Sequence, residues 1–168
     1  SIRRSAADSY DRLHDVTRTT NVNYVGPVQL LLGLLPDMRA RGIGHVVSVG
    51  TVSTDLPAPY WAAYTGSKSA FEAWLRCVAP EIRADGVVTT SIHCPLVHTD
   101  MSAPVPLYSR LPGMTAEEAA VAVGLPVQRM GQAAGAHCVP AIRQPQVGVA
   151  VAAGVDEFAV FGIGHQPR

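Results

Sequence analysis

Lysine is almost missing from this chain: of its 13 basic residues only Lys68 is a lysine, a bias that fits a GC-rich coding sequence, as do its 15 glycines and 13 prolines. Charge of either sign is scarce, at 15% of residues, and the two signs balance at 13 each. No basic field is available to neutralise phosphates, which argues against nucleic acid as a partner. Cysteine is equally thin. Cys77, Cys94 and Cys138 are odd in number and form no C-x-x-C, so they describe neither a disulfide framework nor a zinc site. A reducing, cytoplasmic setting is the expectation. No run of about 18 apolar residues occurs, so no membrane span is expected. No apolar run follows Ser1-Ile2-Arg3-Arg4, as a signal peptide would require.

What is present is apolar. Hydrophobic residues make up 48% of 168, enough for one domain with a real core and too many for a disordered chain. A chain of this length can bury about two thirds of its unfolded surface.

Residues 5 to 15 read as a short polar helix, with Tyr10, Leu13 and Val16 at helical spacing. A longer helix is predicted over 17–41, where Val22, Val25, Val28, Leu31, Leu32 and Leu35 recur at helical intervals. Pro27 and Pro36 each remove a backbone donor, so a kink or break is expected near them, and Gly42 and Gly44 end the helix. The β-branched run 45–49 reads as a buried strand. A helix over 61–85 follows, with Phe71, Trp74, Leu75 and Val78 on its faces and Asp85-Gly86 as its stop. A second strand is predicted over 87–93, closed by Pro95. Residues 96–114 form an irregular segment of a length usually reserved for function. Thr115-Ala116-Glu117-Glu118 is a capping box that opens a short helix. Beyond Gly124 the pattern weakens, with strands expected near 147–151 and 157–160. Continuous apolar strands between long helices imply an α/β fold with a parallel sheet covered on both faces. Ligands of such sheets bind beyond the strands' carboxyl ends, here after Val49 and after His93.

Tyr64 and Lys68 carry the clearest chemistry. Four residues apart on a helix, they sit about 40° apart in azimuth and about 6 Å apart along the axis, on one face. An ammonium about 4 Å from a phenol, at an effective dielectric near 20, favours the phenolate by roughly 4 kcal/mol. That is about three pKa units, enough to bring a phenol towards neutrality and let it exchange a proton with a substrate oxygen. A bare Y-x-x-x-K is common at helix starts, so the weight comes from context. Thr51 lies 13 residues before Tyr64, just after a strand; Asn23 stands in Val22-Asn23-Tyr24-Val25-Gly26; residues 64–70 follow Y-x-x-S-K-x-A; Pro95 and Thr99 close the next strand.

Together these elements, in this order and spacing, resemble the short-chain dehydrogenase/reductase family over residues 1 to 120. The resemblance implies an α/β, Rossmann-like domain and oxidoreduction at a carbonyl or alcohol, with NADP or NAD as cofactor and NADPH preferred. It implies that Tyr64 is the general acid/base, that Lys68 lowers its pKa and holds the nicotinamide ribose, and that Asn23 holds a water in the proton relay. Thr51 would stand where the family usually has Ser, and Pro95, Leu96, Val97 and Thr99 would face the cofactor. Leu96 replaces the family's usual Gly in P-G-x-x-x-T. A narrower resemblance, to actinobacterial fatty acyl-CoA or fatty aldehyde reductases, rests on 30–41, 44–49 and Pro95-Leu96-Val97-His98-Thr99; in those enzymes the turn also reads P-L-V-x-T. It implies an apolar small-molecule substrate.

The family's phosphate loop, T-G-x-x-x-G-x-G, does not occur in the 168 residues. That loop sets a pyrophosphate on a helix N-terminus. The expectation is therefore the C-terminal part of such a domain, N-terminal strands missing, over 1–124. Residues 125–168 form a divergent tail whose Ala/Gly/Val/Gln character is what a shifted reading frame would give. A homo-oligomer through helices 17–41 and 61–85 is implied, as is an alternative in which the chain only packs or dimerises.

Other residues read as structural. Thr65-Gly66-Ser67-Lys68-Ser69 lacks phosphate-loop spacing. His93, Cys94, His98 and Asp100 match no zinc pattern. Asp8, Asp11 and Asp15 read as a solvated helix face, Trp61 and Trp74 as packing residues, and Leu56, Pro57, Leu96 and Val97 as either loop packing or an apolar pocket.

Overall fold

The computed structural model describes residues 2–100, 102–133, 148–152 and 158–162. Their order is α1 (Leu13–Thr20), a π-helical turn (Asn21–Val25), α2 (Gly26–Arg41), β1 (Gly44–Thr51), α3 (Ala62–Arg83), β2 (Val87–Cys94), α4 (Ala116–Ala133), β3 (Gly148–Ala152) and β4 (Phe158–Gly162), with short 3-10 turns at Ala7–Ser9, Val52–Thr54 and Tyr108–Arg110.

The helical stretch expected over 17–41 starts earlier, at Leu13, and passes through the π-helical turn. No break occurs at the prolines. Pro27 falls in the first turn of α2, where its missing N–H would have had no partner. Pro36 is carried inside α2. Gly42, at φ 68°, closes the helix in the left-handed conformation, donating to the Arg39 carbonyl at 3.1 Å. The polar helix expected over 5–15 does not form; its only helical part before α1 is the turn Ala7–Ser9. Nor is Asp15 solvated. It is buried, accepting from Arg4 Nε and Arg12 Nε at 3.0 Å each and lying 3.1 Å from His14 Nε2. Local ion pairing decides this segment; Tyr10 and Leu13, whose spacing suggested a helix face, are both exposed.

The core lies where α2 and α3 meet the sheet. Leu31, Leu35 and Met38 of α2 pack with Phe71, Leu75 and Ile82 of α3 and with Val46 and Val87 of the two central strands. Leu31, Met38, Val46 and Val87 are fully buried, each contributing about 1.5–3 kcal/mol by leaving water. Val22, Val25 and Leu32, also at helical spacing, are exposed instead. Val47 is fully buried too, yet alternation places it on the face opposite Val46. The sheet is therefore covered on both faces, and α4 packs against β1 and β2.

Strands β1 and β2 run parallel, in register from Gly44 opposite Val87 to Thr51 opposite Cys94. Parallel pairing brings the carboxyl ends of both strands, and the segments that follow them, to one edge. This parallel pair is what the sequence pattern predicted, and it agrees with the Rossmann-like domain that the resemblance implies. The sheet order is β2-β1-β3-β4, and the two later strands differ from the all-parallel expectation. β3 runs antiparallel to β1, His45 opposite Ala152 through Ser48 opposite Val149, and β4 antiparallel to β3. A connection as short as that between β3 and β4 returns the chain antiparallel.

The capping box forms as predicted: Glu118 N–H donates to Thr115 Oγ1 at 3.2 Å, and Thr115 N–H donates to Glu118 Oε2 at 2.8 Å. The helix that it opens is longer than expected, running past Gly124 to Ala133. One glycine inside a helix costs only about 1 kcal/mol. Of the tail 125–168, the remainder of α4 and the strands β3 and β4 belong to the described residues; 134–147, 153–157 and 163–168 lie outside them.

Candidate active site

The carboxyl edge of β1 and β2 gathers most of the residues singled out in the sequence. Thr51 is the last residue of β1 and caps the 3-10 turn that follows, accepting from Ser53 N–H at 3.3 Å and donating to Ser53 Oγ at 3.2 Å. Tyr64 and Lys68 stand one turn apart in the first half of α3. Lys68 is buried, and its Nζ donates to the Val49 carbonyl of β1 at 3.3 Å. The ammonium is thereby drawn to the strand that also carries Thr51.

Burial pushes Lys68 down to about 8, against the opposing influence of Cys94 and Glu72. The sequence spacing leads one to expect a phenol lowered by Lys68, and the structure differs. Burial raises Tyr64 above the usual tyrosine range, while the neighbouring Thr51 hydroxyl favours the phenolate and Tyr108 and Cys94 disfavour it. The physical reason is burial, which disfavours the charged phenolate, while the Lys68 ammonium hydrogen-bonds the Val49 carbonyl. Of the groups around the phenol, the Thr51 hydroxyl favours its ionised form.

Asn23 lies inside the π-helical turn, a feature that recurs at functional positions in helices. Its Nδ2 donates to Ser67 Oγ at 3.0 Å, and Ser67 Oγ donates to the Tyr64 carbonyl at 2.8 Å. This chain joins the π-helical turn to the turn of α3 that bears Tyr64 and Lys68. Ser67 was visible in Y-x-x-S-K-x-A, but nothing in the sequence indicated that it would receive Asn23.

The segment after β2 forms the facing wall. Pro95 is exposed; Leu96, Val97 and Thr99 are half-buried. Val97 bridges to Met114, with Met114 N–H donating to the Leu96 carbonyl at 2.8 Å and His98 N–H donating to the Met114 carbonyl at 2.9 Å. A side chain at Gly113 would place its Cβ 2.7 Å from both the Leu96 carbonyl oxygen and His98 Nε2, so glycine is required there. Thr99 is held by Ser102: its N–H donates to Ser102 Oγ at 2.9 Å, and Ser102 Oγ donates to its carbonyl at 2.9 Å. His98 and Asp100 take part in no metal cluster; among the described residues no group of three metal-ligating side chains is assembled.

Above Tyr64 stands an aromatic wall that the sequence did not reveal. Trp61 meets the Tyr64 ring edge-on at 5.9 Å between centroids, and Tyr108 stacks on Trp61 at 6.1 Å. Trp61 is therefore part of the site, whereas Trp74 stacks on Phe71 as packing. Tyr108 comes from the irregular segment, where no periodicity marks a partner. The wall is anchored by Tyr60, the one non-glycine residue with positive φ among the described residues, at 73°. Such a conformation costs on the order of 1–2 kcal/mol. Arg4 N–H donates to the Tyr60 carbonyl at 2.8 Å, and the Arg3 guanidinium lies 4.7 Å from the centre of its ring. Leu56, by contrast, is largely exposed.

A dinucleotide fits one half of this edge. Lys68 makes a single hydrogen bond among the described residues, to Val49, leaving ammonium protons free for the hydroxyls of a ribose. No T-G-x-x-x-G-x-G exists in the chain to take the phosphates.

The carboxyl end of β1, at Thr51, and the first half of α3, with Tyr64 and the buried Lys68, thus form one edge of a Rossmann-like layer. The chain belongs to the short-chain dehydrogenase family: a family model described as short chain dehydrogenase matches residues 2–107. It is 41% identical over 120 residues to a fatty acyl-CoA reductase of Acinetobacter baylyi, and 44% identical over 121 residues to a fatty acyl-CoA reductase of Mycobacterium tuberculosis. Each alignment covers 71% of this chain and 41% of the relative, so the chain spans well under half the length of these curated relatives. Among solved structures, a 3-oxoacyl (acyl-carrier-protein) reductase of Agrobacterium tumefaciens with NADP bound superposes with a TM-score of 0.64 at 26% identity, covering 74% of this chain and 53% of that one. No helix among the described residues is long and apolar enough to cross a membrane.

Proposed function

We propose that this chain carries the acid/base half of an NAD(P)-dependent oxidoreductase site acting on a carbonyl or alcohol, with a fatty aldehyde or a fatty acyl thioester as substrate. The observation that carries the proposal is the convergence of Tyr64, Thr51 and Lys68 at the carboxyl edge of β1. Tyr64 gives the substrate oxygen its proton, or takes it back in the reverse direction. Thr51 orients that oxygen and favours the phenolate. Lys68 holds the nicotinamide ribose, and Asn23, through Ser67, fixes the α3 turn that presents both side chains and holds a water for the proton relay. Pro95, Leu96, Val97 and Thr99 line the cofactor side. The nicotinamide, when bound, supplies or takes the hydride.

The apolar substrate is supported by the Trp61–Tyr108 stack beside Tyr64 and by the half-buried Leu96 and Val97. It is also supported by the 41% and 44% identity to enzymes named as fatty acyl-CoA reductases. NADPH is the preferred cofactor of this reading.

The test is a fluorescence titration of NADPH, then NADH, into the folded chain, followed by reduction of a long-chain aldehyde and acyl-CoA. Saturable binding with turnover that Tyr64→Phe lowers by about a hundredfold or more supports the reading. Turnover retained in Tyr64→Phe overturns the assignment of the acid/base. A folded chain that binds neither nucleotide supports a packing module in its place.

A further inference from the structure

We propose that His93 is a positioning residue for Lys68: by taking up the Glu72 carboxylate, it leaves the Lys68 ammonium committed to β1, at the edge where a nicotinamide ribose would lie. This rests on the reading of Lys68 as the residue that holds the ribose beside the acid/base Tyr64.

Glu72 lies four residues after Lys68 on α3, a spacing at which a lysine and a glutamate ordinarily meet. Both side chains are buried. Burial should strengthen their attraction, since less water screens it. Yet the ion pairs of the described residues do not include Lys68. Glu72 Oε1 instead lies 3.0 Å from His93 Nε2, and the other ring nitrogen, Nδ1, lies 2.6 Å from Asp55 Oδ2. One imidazole thus spans two carboxylates, one from α3 and one from the turn after β1.

The backbone makes room for this arrangement. A Cβ at Gly50 would stand 3.2 Å from His93 Cδ2 and 3.3 Å from Glu72 Oε2. The His93–Glu72 pair therefore packs directly on Gly50. The two neighbours of Gly50 are Val49, whose carbonyl receives Lys68, and Thr51. A residue that read in the sequence as part of a chance cluster of metal-ligand types thus sits against the segment that carries two of the site's contacts.

The charged and titratable groups around His93 are Glu72 and Lys68 from α3, Asp55 from the turn after β1, and Cys94, its neighbour on β2. Glu72 first and Asp55 second hold its imidazole above the usual histidine range, because a protonated ring donates an N–H toward each carboxylate. Without it, Glu72 would keep a buried charge one helical turn from the buried Lys68, and the ammonium would be drawn down the helix away from Val49.

Because Lys68 is the chain's one lysine, lysine labelled with 13C at Cε gives a single side-chain NMR signal whose pH titration reads this residue alone. The wild-type midpoint is expected near 8. His93→Gln should raise it by about one pH unit, a roughly tenfold change in the protonation equilibrium, as Glu72 turns to the ammonium. Glu72→Gln should abolish that rise in the double variant. Asp55→Asn, which leaves the His93–Glu72 contact in place, should leave the Lys68 midpoint where it was. In the wild type, the Lys68 signal should also show a smaller inflection at the pH where the His93 ring titrates, a readout that needs no variant to fold. An unchanged Lys68 midpoint in folded His93→Gln, or no inflection in the wild type, overturns the proposal. Both readouts are independent of turnover, so failure of the acid/base assignment of Tyr64 would be seen separately, in the Tyr64→Phe assay.

Discussion

Asn23 and Ser67, 44 residues apart in the chain, are joined by a 3.0 Å hydrogen bond from the amide of one to the hydroxyl of the other. The bond fastens the π-helical turn to the helix turn that bears Tyr64 and Lys68. A half-buried side-chain hydrogen bond of this kind contributes about 0.5–1.5 kcal/mol. Asn23→Ala and Ser67→Ala should each destabilise the chain, and the double variant should lose less than the sum. Urea unfolding of the four proteins measures the coupling; full additivity would mean that the bond contributes nothing to stability.

Glycine substitutions separate required glycines from permissive ones. Gly33 lies inside α2 with nothing within 4 Å of an added Cβ, so Gly33→Ala should stabilise by about 0.5–1 kcal/mol. Gly86 has φ 79°, and its Cβ would run into the Gly42 carbonyl. Gly86→Ala should destabilise by several times that amount, roughly 2–4 kcal/mol. Thermal melts of the two variants beside the wild type check both signs at once.

The two ends of the pH range should act through different residues. His93 has a folded-state pKa raised above 6.5, so the stability that it contributes is complete below that value and is lost as pH rises through the folded one. Asp15 runs the other way. The hydrogen bond from Arg12, aided by the charges of Arg12, His14 and Arg4, outweighs the opposing cost of burial and lowers its carboxyl below 3.8. Its contribution is present above 3.8 and lost as pH falls through the folded value. Melting temperature should therefore fall toward about pH 3 and also as pH rises from about 6.5 toward about 8, above which the lowered Lys68 works in the opposite direction. His93→Gln should flatten the alkaline side and Asp15→Asn the acidic side. A curve that either variant leaves unchanged would remove that residue from the account.

Thr51→Ser keeps the hydroxyl that favours the Tyr64 phenolate and removes only a methyl. Turnover should stay level or rise. Thr51→Val keeps the shape, removes the hydroxyl and should cost about a hundredfold in kcat. Steady-state kinetics on a long-chain aldehyde decide it; a large loss in Thr51→Ser would place the orienting group elsewhere.

Much of this fold was readable in the sequence because local signals and long-range packing agree there. The run 45–49 is β-branched, follows glycine and is buried on both faces, and it forms the centre of β1. Thr115 and Glu118 cap α4 through a four-residue pattern that needs no tertiary partner. The misses occur where distant residues decide. Asp15 read as solvated because its partner Arg4 lies 11 residues away, across a turn with no periodicity. Tyr108 stacks on Trp61 from an irregular segment, a contact that no spacing rule anticipates. Helical spacing places Lys68 on the face of Tyr64, but it carries no signal for the burial that raises the phenol or for the Val49 carbonyl that accepts from the ammonium.

Strand β1 is hydrogen-bonded along both of its edges, to β2 on one side and β3 on the other. Over His45–Ser48 the strand that ends in Thr51 thus offers no open rung for another chain segment to climb onto. A polypeptide meant to extend this sheet must dock at the outer rim of β2 or of β4, or evict β3 from its place. The antiparallel hairpin of the tail is thus a tenant of the position beside β1, and whatever occupies that position decides what can be built next to the candidate site.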